Sequence, residues 1–237
     1  MKKPIKKSTD NIHDHLQIPR LSNPQRSRGA GTAKNMKTIK QCFTTILSGD
    51  KEKSHRAARD VRKQLYSSKS RDTFDDIKKQ VNTAPQKYQA ITEDWRQENF
   101  VMAISVIYYL HDREKDPDFL FPWLFQLLQH QKGTIRYVAV RMISTELGPL
   151  TAHIRHPGQP SGNFEKLKQE RANSILLSLL IGLYQLMDSV WKPSYKKYKY
   201  ISSLPSGPYK SIQMVLAYLE DDCGKQFMTG LRKKFDI

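Results

Sequence analysis

From Ala33 to Phe235 the apolar residues recur at the three- and four-residue spacing of a helix. No stretch alternates apolar and polar residues between turn dipeptides, as a half-buried strand would. That property restricts the chain to an all-α fold. The spacing, divided by proline and glycine, predicts helices over 33–48, 51–67, 71–83, 86–111, 117–131, 134–148, 164–191, 208–220 and 223–235. Most breaks between them are short, which favours antiparallel packing of sequence neighbours. The longest breaks are His153–Asn163 and Lys192–Pro208.

The stretch KGTIRYVAVRMISTELGPL, Lys132 to Leu150, combines a core-like apolar face with two arginines. Stepping about 100° per residue puts Ile135, Val138, Ala139, Val140, Met142, Ile143 and Leu147 on one broad arc. Arg136 falls inside that arc, whereas Arg141 falls opposite it, beside Tyr137, Ser144 and Thr145. A guanidinium on the apolar side must be hydrogen-bonded or paired, because an unpaired buried charge costs several kcal/mol. Arg136 is therefore expected to tie helix-end carbonyls or a carboxylate, and Arg141 to face solvent or a ligand.

A faint internal repeat underlies the pattern. At an offset of 36, Ala103, Val106 and Ile107 fall on Ala139, Met142 and Ile143. Each unit is a shorter helix, a turn, and a second helix rich in Val, Ile and Ala. One such pair cannot bury its apolar faces alone; stacked pairs can.

PWLFQLLQHQKGTIRYVAVRMISTELG, Pro122 to Gly148, resembles a HEAT-type repeat: a helix, a short turn, then a helix that opens with a β-branched residue and arginine and closes on Leu-Gly. Ile135-Arg136, Ala139 and Leu147-Gly148 carry the likeness, and His130 stands where the family has an acidic residue. The resemblance implies a HEAT/ARM-like α-α superhelix, a solenoid, over 34–237. A second stretch, WRQENFVMAISVIYYL (Trp95 to Leu110), is similar to a helix of HEAT-like DNA glycosylases for alkylated bases. The Trp, Asp and Arg of that family's pocket are not matched here; Asp94 and Trp95 are adjacent rather than a helical turn apart.

The chain carries 40 Lys and Arg against 23 acidic residues, a formal net charge of +17. An excess of that size favours polyanionic partners. Residues 1–40 contribute +8 and residues 192–237 contribute +5, so the two ends dominate. Residues 1–33, with Pro4, Pro19, Pro24, Gly29 and Gly31 among basic residues and serines, read as a disordered basic arm. KKPIKK within it matches a nuclear-import signal, and no apolar stretch follows to make a secretory leader. With two cysteines and no disulfide framework, an intracellular setting is expected: cytoplasmic, or nuclear in a eukaryote. The apolar run Ile175 to Met187 is short for a bilayer span and is expected in a core helix.

The strongest binding candidate is WKPSYKKYKYISSLPSGPYK, Trp191 to Lys210. Lys192, Lys196, Lys197, Lys199 and Lys210 interleave with Tyr195, Tyr198, Tyr200 and Tyr209. Lysines neutralise phosphates, and tyrosines stack on bases or donate to phosphates. Tyr137 and Arg141 are candidates to line a groove, joined by Arg59 and Arg62 on the basic helix His55–Arg71 if it borders that groove. The same residues would alternatively be solvated, with tyrosines packing back on the preceding helix. No zinc-type Cys/His spacing, phosphate loop or catalytic constellation stands out, so no cofactor and no metal are expected. The leading expectation is a non-catalytic nucleic-acid-binding helical-repeat protein. The alternatives are a scaffold for an acidic protein partner and a base-excision enzyme of the glycosylase type.

Overall fold

Thr38 caps the first helix among the described residues. Its hydroxyl accepts from Gln41 N, and the Gln41 side chain accepts from Thr38 N, closing both ends of a capping box. Helix α1 therefore runs Ile39–Ser48, and the 33–36 part of the expected helix 33–48 lies outside the described residues. Asp50 caps α2, Lys51–Leu65, and Thr73 with Asp76 makes a second capping box at α3, Phe74–Asn82. The computed structural model describes residues 37–67, 72–111, 118–158 and 167–235, all in the unit Met36–Ile237. The basic arm expected over 1–33 lies outside the described residues, as does part of the His153–Asn163 break.

The described residues are all-α, with no strand among them. After α3 come α4, Ala84–Gln89; α5, Asp94–Ile107; α6, Phe121–Leu128; α7, Gly133–Arg155; α8, Gln169–Val190; and α9, Pro208–Phe235. Short 3-10 turns occupy Tyr108–Leu110, Pro193–Lys197 and Ile201–Ser203. Helix α2 packs on α1 and α5, α5 on α7, and α7 on α9. Helices α6 and α8 pack on α7 and α9 and on each other. Fully buried Phe43, Phe100, Ile104, Leu124, Leu127, Ile143 and Leu180 belong to one continuous core running through these contacts.

Besides shifts of a few residues at helix ends, three breaks between helices differ from the expected ones. The predicted helix 86–111 is two, α4 and α5, parted at Ala90–Glu93. The break has no glycine or proline; Ile91 turns inward, 6% exposed, and its carbonyl accepts from Gln97 Nε2 at 2.7 Å. Helix α7 does not stop at Gly148 but continues through Pro149 to Arg155. Proline there removes the bond to the Thr145 carbonyl, on an exposed residue that water can serve, while buried Leu150 and Thr151 hold the next turn in the core. The helices predicted over 208–220 and 223–235 form one element, α9, kinked at Gly224, whose φ of 77° favours glycine.

Helix α8 is longer than its apolar run. At 22 residues it is long and apolar enough to cross a membrane by length and composition, and 28% of its most apolar window is buried. Ala172, Ile175, Leu176, Leu179, Leu180 and Leu183 form its buried side. Gly182 lets it approach α6: a Cβ there would stand 2.6 Å from the Phe125 ring.

Candidate nucleic-acid interface

The two arginines of α7 separate as their helical phase requires. Arg136 is 5% exposed and Arg141 is exposed. Arg136 Nη1 donates to the His130 and Gln131 carbonyls at 2.6 and 2.7 Å, just past the end of α6. Those carbonyls have no intrahelical partner, so the guanidinium closes the α6–α7 turn. Its Nη2 donates to Ser206 Oγ at 3.2 Å, tying the turn to the segment before α9. Among the described residues its Nε has no partner and no carboxylate pairs with it. Burial holds its pKa below the ordinary arginine value.

The Lys/Tyr segment crosses from α8 to α9 as two 3-10 turns. Tyr195 stacks on Tyr209 of α9 with ring centroids 4.6 Å apart, and Tyr198 is half-buried. Those tyrosines therefore pack on the protein, whereas Trp191 and Tyr200 remain exposed. Lys192, Lys196, Lys197 and Lys199 are exposed. Lys196 lies over the Trp191 ring, Lys197 over Tyr198 and Lys199 over Tyr200, at 5.7, 5.1 and 5.5 Å. Such contacts hold a cation near an aromatic face without neutralising it. Among the described residues none of these four lysines pairs with a carboxylate. Lys210 differs: its ammonium donates to the Ser202 and Leu204 carbonyls at 2.9 and 3.0 Å and pins the second 3-10 turn.

Helices α7 and α9 border a cleft of about 170 Å³. Gly133, Arg136, Tyr137 and Val140 line it from α7. Ser206, Gly207, Lys210, Ser211 and Met214 line it from the start of α9. Tyr137 and Lys210 thus meet at one site. Arg141 lies one turn further along α7 from Tyr137. Arg59 and Arg62 are exposed on α2, whose neighbours are α1 and α5, so that helix does not border the cleft.

Residues of the cleft outside the sequence-level candidates, Gly133, Ser206 and Ser211, lie at helix starts. Their signals are the glycines before α7 and α9, which read only as punctuation. The α6–α7 turn is fixed further by His130, which stands at the acidic position of the repeat pattern. Its Nδ1 accepts from Lys132 N at 2.9 Å, so the other nitrogen carries the proton and donates to Gln97 Oε1 at 3.0 Å. Burial pushes the His130 pKa down, aided by Lys132 and Arg136 and opposed by Asp94. Glu98 of α5 accepts from Thr134 Oγ1 at 2.7 Å and Lys132 Nζ at 3.0 Å. Among the described residues no three His, Cys, Asp or Glu side chains gather as a metal site would require.

No protein-family model matches the chain, and neither a curated protein nor a solved structure is similar to it.

Proposed function

We propose that this chain is a non-catalytic nucleic-acid-binding protein built as a HEAT/ARM-type solenoid and tolerant of base sequence. The succession α2, α5, α7, α9, each packed on the next, supports stacked helix pairs. The observation that carries the functional reading is the set of exposed lysines at 192, 196, 197 and 199, unpaired among the described residues, three of them lying over an aromatic ring. Cations without carboxylates gain by releasing condensed counterions from a phosphate backbone, and exposed Trp191 and Tyr200 offer faces for unpaired bases. Exposed Tyr137 and Arg141 on α7 are further candidate contacts. On this reading the protein acts where nucleic acid is found, in the cytoplasm or a nucleus.

The base-excision alternative needs a Trp, an Asp and an Arg converging on one pocket. The α7–α9 cleft is lined by arginine but by no tryptophan or carboxylate. Arg96 lies 4.5 Å over Trp95, yet its guanidinium is bound to the Ile46, Leu47 and Gly49 carbonyls. The test is the absorbance ratio of purified protein before and after a high-salt wash. An elevated 260/280 ratio that falls on washing supports the proposal. A co-purifying acidic protein with no nucleic acid transfers the surface to the scaffold reading.

A further inference from the structure

We propose that the cleft between α7 and α9 is a phosphomonoester site, occupied by the terminal phosphate of a nucleic-acid strand. The identity of the strand rests on the nucleic-acid reading above; the anion preference of the cleft stands on its own geometry.

The first observation is Arg136. It is 5% exposed, and each of its hydrogen bonds goes to a neutral oxygen: the His130 and Gln131 carbonyls and Ser206 Oγ. A guanidinium keeps its charge when buried, and buried charges are normally paired. Here no carboxylate pairs with it and Nε has no partner. Arg96, the comparable residue on α5, has Glu93 at 3.0 Å. The charge of Arg136 is thus uncompensated within the described residues, on the wall of a cleft that also carries Lys210 and no acidic residue.

The second observation is the direction of the helices. Gly133 opens α7, a helix of 23 residues, and no side chain caps it. Gly207 immediately precedes Pro208, the first residue of α9. Both glycines line the cleft, so two helix N-termini meet there. First-turn amides have no intrahelical acceptor, and the helix dipole favours an anion beside them. Ser206 accepts from Arg136, leaving its own O–H to donate. Lys210 uses two ammonium hydrogens on carbonyls and retains a third.

Size and charge select a terminal rather than an internal phosphate. The cleft of about 170 Å³ holds roughly six waters' worth of space, room for one tetrahedral oxyanion with a little hydration. A phosphomonoester carries about −1.5 to −2 charge and three free oxygens, which suits donors arriving from several directions. An internal phosphodiester carries one negative charge and two free oxygens, so it gains less from donors arriving from several directions.

The test uses the full chain and two single-stranded oligonucleotides of one sequence, with a 5′-phosphate or a 5′-hydroxyl. The phosphorylated strand is expected to bind about tenfold more tightly, as one well-placed charge-assisted contact allows. Millimolar inorganic phosphate should erase that preference. Gly133→Asp supplies an internal carboxylate: a Cβ at Gly133 would sit 3.5 Å from Arg136 Nη2 and 3.9 Å from Ser206 Oγ, ordinary contacts. Acidic residues suit a helix start, so the variant should melt no lower than the parent while losing the preference. Equal affinity for the two strands overturns the phosphomonoester site and leaves nucleic-acid binding intact. Binding of neither strand overturns both readings. A phosphoserine peptide that binds as tightly as the phosphorylated strand also overturns it, because the terminal group would then belong to a protein.

Discussion

Arg96 and Arg136 do the same work at two joints of the stack. Each leaves the first turn of its helix and donates to carbonyls at the end of an earlier one: Arg96 to Ile46, Leu47 and Gly49, and Arg136 to His130 and Gln131. They differ in their surroundings. Arg96 pairs with Glu93 and lies over Trp95, whereas Arg136 has no carboxylate partner among the described residues. The first joint is electrostatically closed and the second is open to an anion.

Arg136→Ala leaves two carbonyls without their donor and should cost about 2–3 kcal/mol of stability. Arg141→Ala, at an exposed position, should change stability by less than about 0.5 kcal/mol. It should instead weaken nucleic-acid binding and reduce the salt slope by about one. Denaturant unfolding and a salt titration of each variant separate the two effects. Early melting of both variants contradicts the assignment of Arg141 to the surface.

That separation was legible in the sequence because helical phase depends only on residue number. Arg136 fell among Ile143 and Leu147, and those positions are buried. Boundaries were less legible. The break at Ala90–Glu93 comes from inward packing of Ile91, a tertiary effect with no turn residue to announce it. Pro149 signals a stop, but burial of Leu150 and Thr151 outweighs the lost hydrogen bond. The cleft was least legible, since Arg136 and Ser206 are 70 residues apart and meet only after α9 packs on α7.

Acid should loosen the α5–α7 joint. His130 has a depressed pKa in the fold, so the unfolded chain binds the extra proton more readily and stability falls as pH drops below the ordinary imidazole value of 6.5. A proton on Nδ1 would oppose the Lys132 N–H that this nitrogen now accepts. Glu98 acts in a lower window. Burial raises its pKa, but the hydrogen bonds from Thr134 and Lys132 outweigh this and hold it below 4.5, so its contribution is lost as pH falls through that depressed value. Unfolding free energies should decline as pH falls below about 6.5, and His130→Gln should flatten that part of the curve. An unchanged slope in the variant contradicts the assignment.

Replacing Lys192, Lys196, Lys197 and Lys199 together by glutamine should leave the fold intact, because all four are exposed and bind no buried group. Affinity for single-stranded nucleic acid should fall, with the salt slope reduced by about 3 at roughly 0.7–0.9 per phosphate contact. Lys210→Gln should act differently, lowering the melting temperature as well, since its ammonium holds the Ser202 and Leu204 carbonyls. Circular dichroism melting with fluorescence anisotropy distinguishes the two sets.

The most direct measurement is the affinity of the full chain for a single-stranded oligonucleotide at 50 and 300 mM salt. Neutralisation of several phosphates by the lysines of the 191–210 segment predicts binding at low salt that weakens by about two orders of magnitude or more at high salt. Absence of binding at 50 mM, or an affinity indifferent to salt, contradicts the account.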